Sequence, residues 1–290
     1  MSKPDLIDIE ALIKSKNPRL LRLLPRFVIS FLKRKLHQEE INSFLTAYGH
    51  LQDHAFCEAI IHYFEIEIEI IGLENIPETG GAILALNHPL GGMDGVALIH
   101  ALRDKRPDVV LIVNDLLLNI KQLSHLFVGI NKFGRNDGGV RQNISSAFEK
   151  EQAVIIFPAG MVTRIHYGQI VEAEWKKTFV SYARQLQRPI IPIYIDGRLS
   201  NAFYRINRWR KRIGIKANIE MFLLADEMYK QKKGKITFVV GAALTPQQLP
   251  KELNDYGAAN WVKNHVYSLK PTDENNHWTY WPQFIAPRIE

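Results

Sequence analysis

The residues whose types and spacing could support catalysis are a histidine and an aspartate, His88 and Asp94, which are separated by five residues. The apolar run Ala82–Leu86 precedes them and has the composition of a buried strand. That strand must end before Pro89, so His88 is expected at its carboxyl end, where α/β sheets hold their ligands. A carboxylate on one imidazole nitrogen fixes the tautomer and leaves the other nitrogen to take a proton. The chemistry that such a pair performs is therefore proton transfer.

The loop after the strand must bring these two side chains together. Gly91 and Gly92 allow a tight turn, and Asp94 suits the start of the helix that follows. Asn87 is the third residue expected to support the loop. The pattern predicts that His88 is a general base for a substrate hydroxyl, a role worth about 10²–10⁴-fold in rate. An aspartate that only caps a helix and a structural histidine are the alternatives that these residues alone leave open.

Further blocks with chemical potential follow other apolar runs. The run Ala153–Phe157 leads into Phe157-Pro158-Ala159-Gly160, with Arg164 four residues after the glycine. Another stretch closes on Phe133-Gly134-Arg135, and Pro189–Ile193 opens a further strand. Guanidinium groups bind carboxylates and phosphates through paired hydrogen bonds, so both arginines are candidates to hold an anionic substrate group. Each could equally be a surface arginine or a salt-bridge partner.

The order and spacing of these blocks resemble the glycerolipid acyltransferase superfamily, which includes the lysophosphatidic acid acyltransferases. That superfamily carries a His-x4-Asp motif, a Gly-to-Arg block, a Phe-Pro-Glu-Gly block and a Pro-rich strand. The resemblance covers about residues 70–245, and the four blocks together are far more specific than any one of them.

The sequence departs from the family pattern in two blocks. Five residues rather than four separate His88 from Asp94, and Ala159 stands where the family has a glutamate. The usual arginine two residues after the glycine is absent. The blocks are closer to a bacterial branch with His-Pro-x-Gly-Gly-x-Asp-Gly and Phe-Pro-Ala-Gly, which includes O-acyltransferases of ornithine-type aminolipids. Two later segments are also similar to that branch: Trp175-Lys176…Phe179 and Leu224–Met228.

The resemblance implies an O-acyltransferase that moves a fatty acyl group from a thioester, carried by acyl carrier protein or CoA, to a lyso-lipid hydroxyl in membrane lipid synthesis. His88 would deprotonate the hydroxyl, and Asp94 would orient His88. Substrate contacts are expected from Arg135, Phe157, Pro158, Gly160 and Arg164. Backbone amides around Gly160 or Gly91–Gly92 are candidate oxyanion donors. No cofactor is expected, because the acyl thioester is a co-substrate.

The altered blocks favour a lyso-aminolipid acceptor, of the ornithine or glycine type, over lysophosphatidic acid. An enzyme that acylates lysophosphatidic acid is the alternative within this class. A relative that binds acyl chains or acyl carrier protein without turnover is the alternative of another class, since Ala159 and the longer loop leave it open. A structure separates the classes, because catalysis requires His88 within hydrogen-bonding reach of Asp94.

Short apolar runs alternate with helical patterns from Gly80 onward, which predicts an α/β domain with a mixed, mostly parallel sheet flanked by helices. The predicted strands are Ala82–Leu86, Val109–Val113, Leu126–Ile130, Ala153–Phe157, Ile190–Ile195 and Ile236–Val240, and the helices lie near 94–104, 140–150 and 174–187. The strict alternation of Phe64–Ile70 predicts an additional half-buried strand. We divide the chain into a helical N-terminal segment (1–63), an acyltransferase domain (64–270) and an irregular tail (271–290).

Residues 18–36 form a basic, amphipathic segment with no acidic residue. At helical spacing, one arc carries the apolar residues Leu20, Leu23, Leu24, Phe27, Val28 and Phe31, and the opposite arc carries Arg19, Arg22, Arg26 and Lys33. Pro25 is expected to kink or divide the helix. The pattern is typical of a helix in a membrane interface, held by apolar contact and by anionic lipid. A helix packed on its own domain with a solvated basic face is the alternative.

Composition limits the class of protein and its partners. The chain has 290 residues, 46% of them hydrophobic and 23% charged, which is typical of a folded globular protein. A net charge of +7 favours acidic partners. The basic, aromatic stretch 201–213 could receive an acidic carrier protein or lipid headgroups, or be only a solvated helix. The single cysteine, Cys57, fits a reducing compartment. The predicted location is the cytoplasmic face of the cell membrane, as a peripheral protein, since neither a membrane-spanning run nor a secretory signal is evident.

Other chemistries find little support. His50 and His54 stand four residues apart, but no third ligand is evident, so no metal site is expected. The basic stretch Arg205–Lys216 comes without a recognised nucleic-acid module, so no nucleic-acid partner is expected. A glycine-rich phosphate loop is also not found.

Overall fold

Helices are the regular elements of the described residues before Glu65, and strands and helices alternate after it. The computed structural model describes residues 6–16, 18–114, 117–130, 138–166, 169–212 and 223–271. The α-helices are α1 (Ile9–Lys16), α2 (Pro18–Leu23), α3 (Arg26–Lys35), α4 (Gln38–Tyr48), α5 (Asp53–Phe64), α6 (Gly92–Leu102), α7 (Gly138–Glu149), α8 (Thr178–Leu186), α9 (Asn201–Arg212), α10 (Leu224–Lys230) and α11 (Asp255–Ser268). The strands are β1 (Glu67–Ile71), β2 (Ala82–Leu86), β3 (Val110–Asn114), β4 (Phe127–Ile130), β5 (Ala153–Ile156), β6 (Arg164–His166), β7 (Gln169–Val171), β8 (Ile190–Asp196) and β9 (Lys235–Val240).

Seven of the described strands form one sheet in the order β1-β9-β8-β2-β5-β3-β4. Its pairs are parallel except for β8 with β9. The other two strands, β6 and β7, form a separate antiparallel hairpin. The predicted fold class, a mixed and mostly parallel sheet flanked by helices, is confirmed.

Strand β2 lies in the middle of the sheet between β8 and β5. All five of its residues are buried. Ile83 and Ala85 belong to the core on one face of the sheet, whereas Leu84 and Leu86 belong to the core on the other. Burial on both faces explains why a parallel strand of this kind is apolar at every position. The residues that follow β2 therefore emerge at the centre of the sheet edge.

The strand predicted over Phe64–Ile70 begins three residues later than expected. Helix α5 continues through Phe64, and Glu65 ends it in the left-handed region with φ 51°. Phe64 is buried against Tyr229, with ring centroids 5.0 Å apart. The alternation is real, since Ile66 is buried and Glu67 is exposed, but it starts in the helix cap. Strand β1 itself covers Glu67–Ile71.

The basic N-terminal segment is divided where expected, because α2 ends before Pro25 and α3 begins after it. Helix α3 buries none of its residues. Three apolar side chains of this region are strongly exposed: Leu23 by 79%, Phe27 by 74% and Phe31 by 50%. In the described residues, no helix combines the length and the apolar character that a membrane crossing needs.

The end of α3 is attached to α10 through one aspartate. Lys35 Nζ lies 3.1 Å from Asp226 Oδ2, and His37 Nε2 lies 3.2 Å from Asp226 Oδ1. The His37 ring also stacks on Tyr229, with centroids 3.9 Å apart. The predicted irregular tail, 271–290, lies outside the described residues apart from Pro271.

Candidate active site

Two neighbouring parallel strands deliver the site residues to the same edge of the sheet. Strand β2 leads into His88 and β5 leads into Phe157, and the two strands pair with Ala85 opposite Ile156. The Phe157 ring stacks on the His88 imidazole, with centroids 4.2 Å apart and planes 22° apart. The two sequence blocks thus meet in one place, although His88 and Phe157 are 69 residues apart along the chain.

The His88–Asp94 pair is formed. Nδ1 of His88 lies 2.8 Å from Oδ2 of Asp94. The same oxygen accepts the backbone amides of Leu90 at 3.0 Å and Gly91 at 3.1 Å. Asp94 is fully buried, and its other oxygen has no hydrogen-bond partner among the described residues. The carboxylate therefore both caps α6 and binds the imidazole.

Gly91 makes this turn possible. Its backbone has φ 85° and ψ −139°, a conformation that only glycine adopts readily. It is the residue before α6, and Asp94 is the third residue of that helix. The turn folds the carboxylate back onto the residues that precede the helix.

The electrostatics of the pair suit proton transfer. Burial raises the pKa of Asp94, and the hydrogen bonds from His88 and the two amides act in the opposite direction. A carboxylate at Nδ1 holds the proton there, which leaves Nε2 of His88 as the acceptor for a substrate proton. The geometry is that of a general base with its orienting carboxylate.

A second buried carboxylate holds the backbone of His88. The His88 amide donates to Oε1 of Glu172 at 2.9 Å, and the His88 carbonyl accepts the amide of Thr163 at 3.3 Å. The other oxygen of Glu172 accepts the Trp175 indole at 2.7 Å and the Tyr267 hydroxyl at 3.2 Å. The segment around the β6–β7 hairpin thus fixes the residue that carries the imidazole.

Glu172 was not found by sequence reasoning. It lies 84 residues from His88 and forms no motif with it. Burial raises the pKa of Glu172, with Trp175 and the nearby Lys263 acting against it. Lys263 Nζ donates to the carbonyls of Glu172 and Ala173, at 3.2 and 3.1 Å. Burial lowers the pKa of this lysine.

Asn87, predicted to support the loop, hydrogen-bonds to the neighbouring strand β8. Its side chain donates to the Ile195 carbonyl at 2.9 Å and accepts the Ile195 amide at 2.7 Å. This pair of hydrogen bonds ties the end of β2 to β8 next to His88.

A cavity of about 1550 Å³ opens beside His88. Most of its lining is apolar, from residues that include Phe44, Phe56, Tyr63, Ile144 and Phe148. Its volume exceeds that of ordinary small-molecule pockets, about 300–1,000 Å³. A cavity of this size and polarity suits fatty acyl chains.

Four of the five residues predicted to contact substrate lie in the described structure. Phe157, Pro158, Gly160 and Arg164 all line the cavity. Arg164 Nη1 donates to two backbone carbonyls, at 3.0 and 3.1 Å, and its guanidinium lies over the Phe203 ring at 5.0 Å. Arg135 lies outside the described residues.

The weaker candidates have structural explanations. His54 Nε2 lies 3.0 Å from the Pro107 carbonyl oxygen. Cys57 is buried, and burial raises its pKa to about 12. In the part of the chain that the structure describes, no group of three or more potential metal ligands was found. The absence of a metal or a cofactor stays a prediction.

Comparison with known proteins shows which class of protein has this fold and site, an acyltransferase. A family model described as Acyltransferase matches residues 11–275, and the chain belongs to this family. Two curated relatives are named "Lyso-glycine lipid O-acyltransferase". The one from Phocaeicola vulgatus is 39% identical over 265 residues, which cover 91% of this chain and 95% of that protein. The one from Bacteroides thetaiotaomicron is 38% identical and covers 91% of this chain and 97% of that protein.

A more distant likeness is to the crystal structure of the 1-acyl-sn-glycerophosphate (LPA) acyltransferase PlsC from Thermotoga maritima. It has a TM-score of 0.46 and 17% identity, and covers 89% of this chain and 91% of that chain. With the family established by the other matches, the resemblance expected from the sequence blocks, to glycerolipid acyltransferases and their aminolipid branch, is confirmed. The predicted enzyme class, acyltransferase, is confirmed with it.

Proposed function

We propose that this enzyme transfers a fatty acyl group from an acyl thioester to the hydroxyl of a lyso-glycine lipid, with His88 as the general base. The observation that carries the proposal is the 2.8 Å contact between His88 and Asp94 at the wall of a large apolar cavity. The choice of acceptor is supported by two relatives that bear this name and align over most of the chain.

The reaction follows from the geometry of the pair. Nε2 of His88 takes the proton of the acceptor hydroxyl, and the oxygen attacks the thioester carbonyl carbon. The new C–O ester bond forms, the C–S bond breaks, and the imidazolium returns the proton to the leaving thiolate. Asp94 stabilises the imidazolium while the proton resides on it. No covalent acyl-enzyme is required.

The oxyanion of this reaction needs a hydrogen-bond donor. Of the amides expected to serve, Gly160 donates to the Phe157 carbonyl at 2.9 Å and Gly91 donates to Asp94. Gly92 is the first residue of α6, where backbone amides lack partners within the helix. It lines the cavity together with His88. The Gly92 amide is therefore our candidate donor.

Donor and location are part of the same proposal. The thioester is carried by acyl carrier protein or CoA, and the net charge of +7 favours either acidic donor. The enzyme works as a peripheral protein on the cytoplasmic face of the membrane, where its acceptor resides. The exposed Leu23, Phe27 and Phe31 beside basic residues support contact of α2 and α3 with that surface.

The test is thioester consumption by the purified protein and by His88→Ala. Donors are acyl carrier protein and CoA thioesters, and acceptors are lyso-glycine lipid, lyso-ornithine lipid and lysophosphatidic acid. We expect turnover that depends on lyso-glycine lipid and falls by about 10²–10⁴-fold in His88→Ala. Turnover retained by the variant would reject His88 as the base, and a preference for lysophosphatidic acid would reject the proposed acceptor.

A further inference from the structure

The charged side chains that the structure describes in the cavity lining all have one sign. Among its described lining residues, the charged side chains are those of Lys121, Arg164 and Lys176, and none is an aspartate or a glutamate. A cleft lined by one sign of charge attracts ligands of the other sign. The cavity therefore favours an anionic group.

Of these three cations, Lys176 is the one whose ammonium lies beside Gly160, in the loop that follows β5. Arg164 donates to the carbonyls of Val162 and Thr163. Lys121 lies in a short turn with Gln122. The Gln122 side chain donates to the Gly49 carbonyl, which places this turn at the side of the cavity formed by α4 and α5. For the Lys176 ammonium, no ion pair or hydrogen bond forms within the described ranges.

Lys176 lies against the loop 157–160, and the first residue of that loop contacts His88. Its backbone amide donates to the Pro158 carbonyl at 3.1 Å. Its Nζ stands over Gly160, since a Cβ added there would lie 3.6 Å from that nitrogen. Gly160 follows Phe157 by three residues, and the Phe157 ring stacks on His88. The ammonium and the imidazole thus flank the same short loop.

The start of α8 adds to the positive field at this place. Thr178, its first residue, lines the cavity, and the first turn of the helix has no acidic side chain. The N-terminus of a helix carries partial positive charge and favours anions.

We infer that Lys176 binds the carboxylate of the acceptor headgroup, an inference that rests on the proposed function. Glycine has no hydroxyl, so the hydroxyl to be acylated lies on the acyl chain attached to its nitrogen, and the carboxylate stays free. Carboxylate and hydroxyl are then two separate groups of one acceptor molecule. Lys176 receives the carboxylate while His88 receives the hydroxyl.

The test uses two acceptors that differ only at the headgroup carboxylate, an N-(hydroxyacyl)glycine and the corresponding uncharged glycinamide. kcat/KM is measured for the wild type, Lys176→Met and Lys177→Met. The control removes a neighbouring lysine whose ammonium lies over the Tyr256 ring, at 5.4 Å, and does not line the cavity. We expect the wild type and the control to prefer the carboxylate by about 10- to 100-fold, and Lys176→Met to lose that preference.

A preference retained by Lys176→Met would overturn the inference. An equal loss with both acceptors, together with a raised KM for the thioester, would assign Lys176 to the donor instead. If the wild type acylates neither acceptor, the proposed function fails. Calorimetric binding of the two compounds then decides the role of Lys176 separately, because equal affinity of the wild type for both would overturn it.

Discussion

Nδ1 of His88 lies 2.8 Å from Oδ2 of Asp94, although five residues separate them where the family pattern has four. The same oxygen accepts hydrogen bonds from the backbone amides of Leu90 and Gly91, so the carboxylate holds the loop in its turn. The additional residue enlarges this turn without opening the pair. The departure from the family motif is therefore compatible with general-base chemistry.

Asp94→Asn tests the charge of this carboxylate. The amide can keep an oxygen toward His88 and the two backbone amides, but it cannot stabilise an imidazolium by charge. Its NH₂ would replace the buried oxygen that lacks a partner among the described residues. We expect kcat to fall by about 100-fold or more and the free energy of unfolding to fall by about 1–3 kcal/mol. Initial rates at saturating substrates and thermal melts measure the two effects, and a wild-type kcat would contradict the orienting role.

Gly91→Ala and Gly92→Ala form a matched pair. At Gly91 an added Cβ meets only ordinary contacts at 3.7 Å, so the substitution isolates the strain of φ +85°. We expect Gly91→Ala to lower the free energy of unfolding by about 1–3 kcal/mol and to reduce kcat, because the turn holds Asp94. At Gly92 nothing lies within 4 Å of the added Cβ, so stability should change by less than about 0.5 kcal/mol. Denaturant unfolding of both variants checks this, and equal losses would show that φ is not the cause.

Glu172→Gln tests whether the backbone of His88 must be held. One oxygen can still accept the His88 amide, but an NH₂ group would face the Trp175 indole and the Tyr267 hydroxyl, which both donate to Glu172. We expect the free energy of unfolding to fall by about 1–3 kcal/mol. We also expect kcat to fall by about tenfold or more with little change in KM, since displacement of the base affects the chemical step.

Tyr267→Phe is the control for this position. It removes one donor to Glu172 and leaves the contact with His88, so stability should fall by about 1 kcal/mol while kcat stays near that of the wild type. Steady-state kinetics and thermal melts of both variants make the comparison. If the two variants lose kcat equally, Glu172 acts through general stability and not through His88.

The sequence predicted those parts of the fold that depend on local pattern. Strand β2 has the predicted bounds, since every residue of it is buried on both faces. The predicted start of β1 was wrong, because the alternation of apolar and polar residues begins in the last residue of α5 and runs through its cap at Glu65. Periodicity reports burial, and it does not mark the residue at which a helix becomes a strand.

The site was predictable where its residues are close in sequence. His88 and Asp94 share one loop, so strand, turn and helix signals were sufficient to bring them together. Glu172 reaches His88 from the end of the β6–β7 hairpin, and Lys263 reaches Glu172 from α11. No local sequence pattern encodes these positions. Lys176 belongs to the segment Trp175-Lys176…Phe179, which resembles the bacterial branch, but the sequence assigned it no role. Its place in the cavity lining is what indicates one.

Asp226→Asn tests, by its dependence on pH, the ion pairs that Asp226 makes with Lys35 at the end of α3 and with Lys230 within α10. Burial alone would raise the pKa of Asp226, but hydrogen bonds from Lys230, Lys35 and His37 outweigh it and lower the pKa to about 2. A lowered pKa stabilises the fold above the pKa of the unfolded chain, about 3.9, and that contribution disappears as the pH falls to about 2. We expect the wild type to be more stable than Asp226→Asn at neutral pH, and the difference to shrink below about pH 4. Thermal melts across this range measure it, and a constant difference would contradict the ion-pair role.

Phe27→Glu and Phe31→Glu test contact between α3 and the membrane without breaking the fold. Helix α3 buries no residue, whereas removal of the whole segment would also remove the Lys35–Asp226 contact. Full burial of a phenylalanine is worth about 1.5–3 kcal/mol, so each substitution should weaken binding to vesicles that contain anionic lipid by about tenfold or more. Tyr256→Glu, an exposed aromatic on α11, is the control and should bind as the wild type does. Flotation of the three variants with liposomes makes the measurement, and equal flotation of all of them would reject α3 as the membrane-binding element.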